Sequence, residues 1–170
     1  MGGKKTNLSQ YKLDETATKE VKIGVVTSEW NSEVTQQLLS GCKETLTSEG
    51  IPEDNLYFIQ VPGAFELPVG ARILDDKYNL DAVICLGCVV KGETKHDEYI
   101  NLAVAQGLMQ LSVLRSKPFV FGLLTTNDMD QAKDRAGGSR GNKGVEAAAT
   151  ALQMIQIKKE LKSASRTIGF

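Results

Sequence analysis

Histidine and tryptophan occur once each, cysteine three times and proline four times, and 20 Lys plus Arg nearly cancel 21 Asp plus Glu. Each scarcity excludes something. One histidine without a Cys/His cluster leaves a conventional transition-metal site short of ligands, so no metal is expected. A net charge of −1 gives no basic excess to release counterions from a phosphate backbone, which makes nucleic acid a poor partner. The longest apolar run, Ala82 to Val90 with Gly87 inside it, falls well short of the roughly 18 to 20 residues that span a membrane. The N-terminal region lacks the apolar core of a secretory signal, and Cys42, Cys85 and Cys88 are too few and too odd in number to pair fully. A reducing cytoplasm is the expected location.

The ordinary quantities are those of one globular domain. The 170 residues are 41% hydrophobic and 24% charged, which suffices for a real core and argues against extensive disorder. Residues 1–20 are polar and scattered and read as an arm, and 21–170 as a single domain without internal repeats. Short apolar runs alternate with helical periods. Strands are expected over Val21–Val26, Asn55–Val61, Ala82–Val90 and Pro118–Leu124. The third run is apolar throughout, as a parallel strand covered on both faces requires. Helices are expected over Ser32–Glu49, over about Glu66–Asp76 with Pro68 in its first turn, and around Ile100–Leu111. A further helix capped by Thr126 or Asn127 runs to about Ala136, Gly137 to Gly144 breaks it, and a last helix begins at Val145. The order βαβαβαβαα predicts a parallel four-stranded sheet with helices on both faces and ligands gathered outside the carboxyl ends of the strands.

Several chemistries lack their motifs. No G-x-G-x-x-G follows the first strand, and Gly138-Ser139-Arg140-Gly141-Asn142-Lys143-Gly144 has the wrong spacing for a phosphate loop. Cys85 and Cys88, three apart on a strand, face opposite sides and read as core cysteines. What remains lies just past the strand ends. Trp30, after strand one, suits stacking on a flat heterocycle or packing over the helix start. In Val61-Pro-Gly-Ala-Phe-Glu-Leu-Pro68 two prolines stiffen the chain, Gly63 allows close backbone approach, and Phe65 and Glu66 face a site or cap a helix. Lys91 to Glu98 is a polar turn opening into the long helix, where free N–H groups favour an anion. His96 lies in that first turn, either solvated or poised for proton transfer near neutral pH. Arg135 and Lys143 bracket the glycine-rich turn and either hold a phosphate or carbonyl or are simply solvated.

Four blocks together carry a resemblance: Val61 to Pro68, Gly92-Glu-Thr-Lys-His96, Phe121-Gly-Leu-Leu-Thr-Thr126 and Arg135 to Gly144. In order and spacing, from about Val21 to Ile157, the chain resembles the 6,7-dimethyl-8-ribityllumazine synthases. The resemblance implies a flavodoxin-like α/β fold, a three-layer αβα sandwich. It implies a transferase of riboflavin biosynthesis joining 5-amino-6-(D-ribitylamino)uracil to 3,4-dihydroxy-2-butanone 4-phosphate, with no cofactor. By matched position, Trp30 would stack on the pyrimidine, Asn31 and Ala64-Phe65-Glu66 would hold the ribityl chain, and Cys88, Val89 and Val90 would line the ring pocket. Gly92, Glu93 and Thr94 would bind the phosphate together with Arg135, Lys143 would contact a pyrimidine carbonyl, and His96 would move protons. Phe121 would close the pocket from a neighbouring subunit. The implied assembly is a homopentamer, or an icosahedral shell of about sixty subunits, with riboflavin synthase as a further partner. Trp30 departs from the phenylalanine of many members, and Asp97-Glu98 from an aromatic-acidic pair. A flavin- or lumazine-storage protein, or an inactive shell protein, would need the stacking pocket but neither His96 nor Arg135 and Lys143. The small residues Ala147, Ala148 and Ala149 leave a surface suited to close helix packing, either against a neighbouring subunit or buried within the monomer.

Overall fold

The computed structural model describes residues 18–165, so most of the polar arm expected over residues 1–20 lies outside the described residues. Four strands, β1 (Ile23–Ser28), β2 (Leu56–Val61), β3 (Ala82–Val90) and β4 (Phe119–Thr126), form one parallel sheet in the order β2-β1-β3-β4. Parallel neighbours need crossovers. These are helices α1 (Ser32–Ser48), α2 (Leu67–Tyr78) and α3 (His96–Arg115). A short α4 (Met129–Asp134), a two-stranded ribbon of β5 (Ala136–Gly138) and β6 (Gly141–Asn142), and α5 (Lys143–Ser165) complete the chain.

Side-chain alternation along the strands divides the core. Ile23, Val25, Ile84, Leu86, Cys88 and Leu124 pack against Leu38, Cys42 and Leu46 of α1 and Ala148, Leu152 and Ile155 of α5. On the other face Val26, Val83, Cys85, Val89 and Leu123 meet Leu67, Ala71 and Leu74 of α2 and Val104 and Leu108 of α3. The result is the expected three-layer α/β sandwich with Cys85 and Cys88 on opposite faces. Burial raises all three thiols, Cys42 to about 12 and Cys88 to about 11, because no cation offsets the cost of a buried thiolate.

Two local expectations are corrected. β1 runs two residues later than the apolar pattern suggests, since Thr27 and Ser28 are polar yet buried between neighbouring elements. The cap of α4 is Asp128, whose carboxylate accepts from the Gln131 amide at 2.8 Å, while the Thr126 hydroxyl donates to the Asp128 carbonyl. Of the two settings open to Ala147, Ala148 and Ala149, the structure shows burial within their own chain, where their small side chains let α5 lie close on the sheet.

Opposite the carboxyl edge of the sheet, Asp75 of α2 is 3% exposed. Its carboxylate accepts from Lys117 Nζ at 2.9 Å and from the Leu80 amide at 3.1 Å, with Arg115 Nε 3.6 Å away. Lys117 also donates to the Leu80 carbonyl. This buried pair joins the end of α2 to the entrance of β4.

Candidate active site

The carboxyl ends of β1, β2 and β3 are tied together by their loops. The Glu29 amide donates to the Val61 carbonyl at 2.9 Å and the Trp30 amide to the Pro62 carbonyl at 3.3 Å. Asn31 holds the left-handed conformation (φ 60°, ψ 43°) that asparagine tolerates better than most residues, and its Nδ2 donates to the Cys88 carbonyl at 2.9 Å. Beyond β3, the Lys91 amide donates to the Thr126 carbonyl at 2.8 Å. These bonds hold three loops around one cavity of about 700 Å³.

Trp30, Asn31, Ala64, Phe65, Glu66, Cys88, Val89, Val90, Gly92, Thr94 and His96 all line that cavity. Trp30 is 73% exposed and Phe65 is also largely exposed, so both rings are apolar surface available to a ligand rather than core. This favours the stacking alternative for Trp30 over packing onto α1. Glu66 is the last residue of a 3₁₀ turn over Ala64–Glu66 and precedes α2, but its side chain caps nothing. Its carboxylate lies back over the loop instead, where a side chain at Gly63 would stand 3.1 Å from Oε2. Gly92 has open space around it, so neither crowding nor a positive φ demands glycine there. Its bare backbone faces the cavity at the turn before α3.

His96 is the first residue of α3 and is exposed. Asp97, Tyr99 and Ile100 continue the same wall. Tyr99 and Ile100 were not among the expected site residues, although positions three and four along a helix from His96 share its face. Ile100 instead counts in sequence as part of the buried stripe. Residues at the starts of α1 and α3, Asn31 and His96, line this cavity, and a helix N-terminus favours a bound anion.

The remaining expected residues stand elsewhere on the same chain. Glu93 is exposed in the loop but outside the cavity lining. Arg135 is the exposed C-cap of α4. Lys143 opens α5, with Nζ 2.9 Å from Glu146 Oε2. Phe121 and Lys143 line a second, largely apolar groove of about 850 Å³ between α3, β4 and α5. Trp30 and His96 therefore share one cavity, and Phe121 and Lys143 another. Among the described residues no group of three His, Cys, Asp or Glu side chains converges.

The sequence model of one family, described as 6,7-dimethyl-8-ribityllumazine synthase, matches residues 20–159. A protein of that name from Parabacteroides distasonis is 47% identical over 152 residues, covering 89% of this chain and 95% of its own length. The like-named protein of Cytophaga hutchinsonii is 48% identical over 149 residues, 88% of this chain and 94% of that one. That of Levilactobacillus brevis is 46% identical over 144 residues, 85% and 92% of the two chains.

Proposed function

The chain belongs to the 6,7-dimethyl-8-ribityllumazine synthase family, and on that footing we propose how its residues divide the reaction. The protein is a transferase of riboflavin biosynthesis. It condenses 5-amino-6-(D-ribitylamino)uracil with 3,4-dihydroxy-2-butanone 4-phosphate, giving 6,7-dimethyl-8-ribityllumazine, phosphate and water. The observation that carries the residue assignment is the convergence of an exposed indole, a stiffened loop, an apolar strand end and a helix N-terminus on one cavity.

In this reading Trp30 covers one face of the pyrimidine, and Cys88, Val89 and Val90 form the apolar floor beneath it. Cys88 contributes shape and a backbone carbonyl rather than a thiolate, because its thiol stays protonated at neutral pH. Asn31 and Ala64-Phe65-Glu66 hold the ribityl chain, with one N–H of the Asn31 amide already committed to fixing its own loop. Gly92, Glu93 and Thr94 receive the phosphate, where the N-terminus of α3 and exposed backbone donors favour an anion. His96, beside that site, takes protons from carbon or nitrogen and delivers them to departing oxygens. Much of the acceleration comes from holding the two reactants together, which converts a bimolecular encounter into a step within one complex.

Arg135, Lys143 and Phe121 complete the site from a neighbouring subunit of a homopentamer. Two features support this: all three stand outside the cavity that holds His96, and the groove lined by Phe121 and Lys143 is bordered by exposed Met109, Val113, Ile157 and Leu161, an unusual apolar face for a lone chain. Closure of pentamers into an icosahedral shell, contact with riboflavin synthase and a cytoplasmic location belong to the same proposal. No helix among the described residues is long and apolar enough to cross a membrane.

Mixing the two substrates with protein treated with a chelator tests the assignment. Lumazine absorbance should rise with one phosphate released per product. Phosphate release without lumazine, or product formed only after a metal is restored, would overturn it.

A further inference from the structure

Between the two proposed cation residues, Arg135 and Lys143, lies Asn142, whose side chain makes no contact with the cavity of Trp30 and His96 yet uses both ends of its amide. Its Nδ2 donates to the Gln37 carbonyl in α1 at 3.0 Å, and its Oδ1 accepts from the Gly144 amide at 2.8 Å. The slot it occupies exists because of two glycines. A side chain at Gly41 would lie 2.7 Å from Asn142 Nδ2 and 2.8 Å from its Cγ, and one at Gly144 would run into the Leu38 carbonyl. Asn142 also pairs with buried Ala136 across the ribbon, and the Lys143 amide donates to the Arg135 carbonyl at 2.9 Å.

The ribbon itself is weak. It has two short strands, positive φ at Gly137 and Gly141, and few side chains to bury, so backbone pairing alone leaves its position on the sandwich poorly fixed. The amide of Asn142 supplies what the ribbon lacks, a rigid tie to α1. That helix packs in the sandwich core through Leu38, Cys42 and Leu46, so the tie fixes the ribbon to a well-anchored element.

We propose that Asn142 is a positioning residue for the known reaction: by locking the β5–β6 ribbon to α1, it sets where Arg135 presents its guanidinium to the phosphate-bearing substrate. The inference rests on the phosphate role assigned above to Arg135.

Two variants disturb the tie by different routes. Asn142→Asp keeps the acceptor for Gly144 but replaces the donor with a carboxylate facing the Gln37 carbonyl. Gly41→Ala leaves the ribbon sequence intact and favours the helix locally, while its methyl displaces the Asn142 amide. Both should raise KM for the phosphate-bearing substrate by about 10-fold, with a smaller change in kcat. In an Arg135→Ala background the same changes should alter that KM by less than about twofold, because the group being positioned is gone. A structural role alone would lower Tm and the active fraction, leave KM unmoved, and act equally in both backgrounds. If Asn142→Asp does not fold, Gly41→Ala decides the matter. A raised KM in Arg135→Ala with normal KM in the folded positioning variants overturns the inference and spares the role of Arg135. Normal KM in Arg135→Ala overturns that role and the inference with it.

Discussion

His96 opens α3 at the wall of the cavity, and no second imidazole is available anywhere in the sequence. Phosphate elimination and ring closure both move protons, so losing this group should slow turnover more than binding. His96→Ala should lower kcat by about 10- to 1000-fold with modest change in KM for either substrate, the scale typical of acid–base catalysis. Steady-state kinetics on the folded variant checks this, and an unchanged kcat would make His96 an ordinary solvated residue. Sequence reasoning found this part of the site because its residues sit in loops directly after strands, where backbone topology alone brings them together. Tyr99 and Ile100 escaped because helical periodicity assigns a residue to a stripe without saying whether the stripe's end is covered. The separation of Phe121 and Lys143 from His96 was also hidden in composition and spacing, since it depends on which sides of the sandwich β4 and α5 present.

Elements differ in how plainly their residues announce them. Ala82–Val90 matches β3 in full, because a strand buried on both faces needs an unbroken apolar run and little else produces one of that length. The β5–β6 ribbon left no such trace: glycines carry no side-chain pattern, and its pairing is made by backbone groups alone. Among Thr126, Asn127 and Asp128 any could cap α4, and only the path of the chain selects the aspartate. The tie between α2 and β4 through Asp75 was likewise unreadable, since its partner Lys117 is 42 residues away. It nevertheless sets a clear expectation. Asp75→Ala strands a largely buried Lys117 ammonium and an unpaired Leu80 amide, and should cost about 3–5 kcal/mol of stability. Urea unfolding measures the loss, and a change below about 1 kcal/mol would show that Lys117 reaches water when its partner is removed.

For the whole molecule, the arrangement of the two cavities makes the subunit an incomplete enzyme in the proposed reading. One wall carries Trp30 and His96, while another face carries Phe121 and Lys143, and Arg135 caps α4 just before the ribbon. Head-to-tail contacts around a ring can bring the first wall of each subunit against the second face of its neighbour. His96→Ala protein, low in kcat, and Arg135→Ala protein, raised in KM, should then recover wild-type-like sites when unfolded and refolded together. In a randomly mixed ring about a quarter of the sites would unite an intact histidine with an intact arginine. Mass spectrometry of the refolded rings establishes that mixing occurred. Proven mixing without recovered activity would place both groups in one chain's site.

The burial of Cys42, Cys85 and Cys88 has a practical meaning for anyone handling the protein. Because the Cys42 and Cys85 sulfurs are enclosed and held protonated, alkylating reagents and mild oxidants find little to react with there in the native molecule. Lying on opposite sides of the sheet, they are two silent reporters, and the pace at which they become labelled gives a clock for how often the sandwich opens.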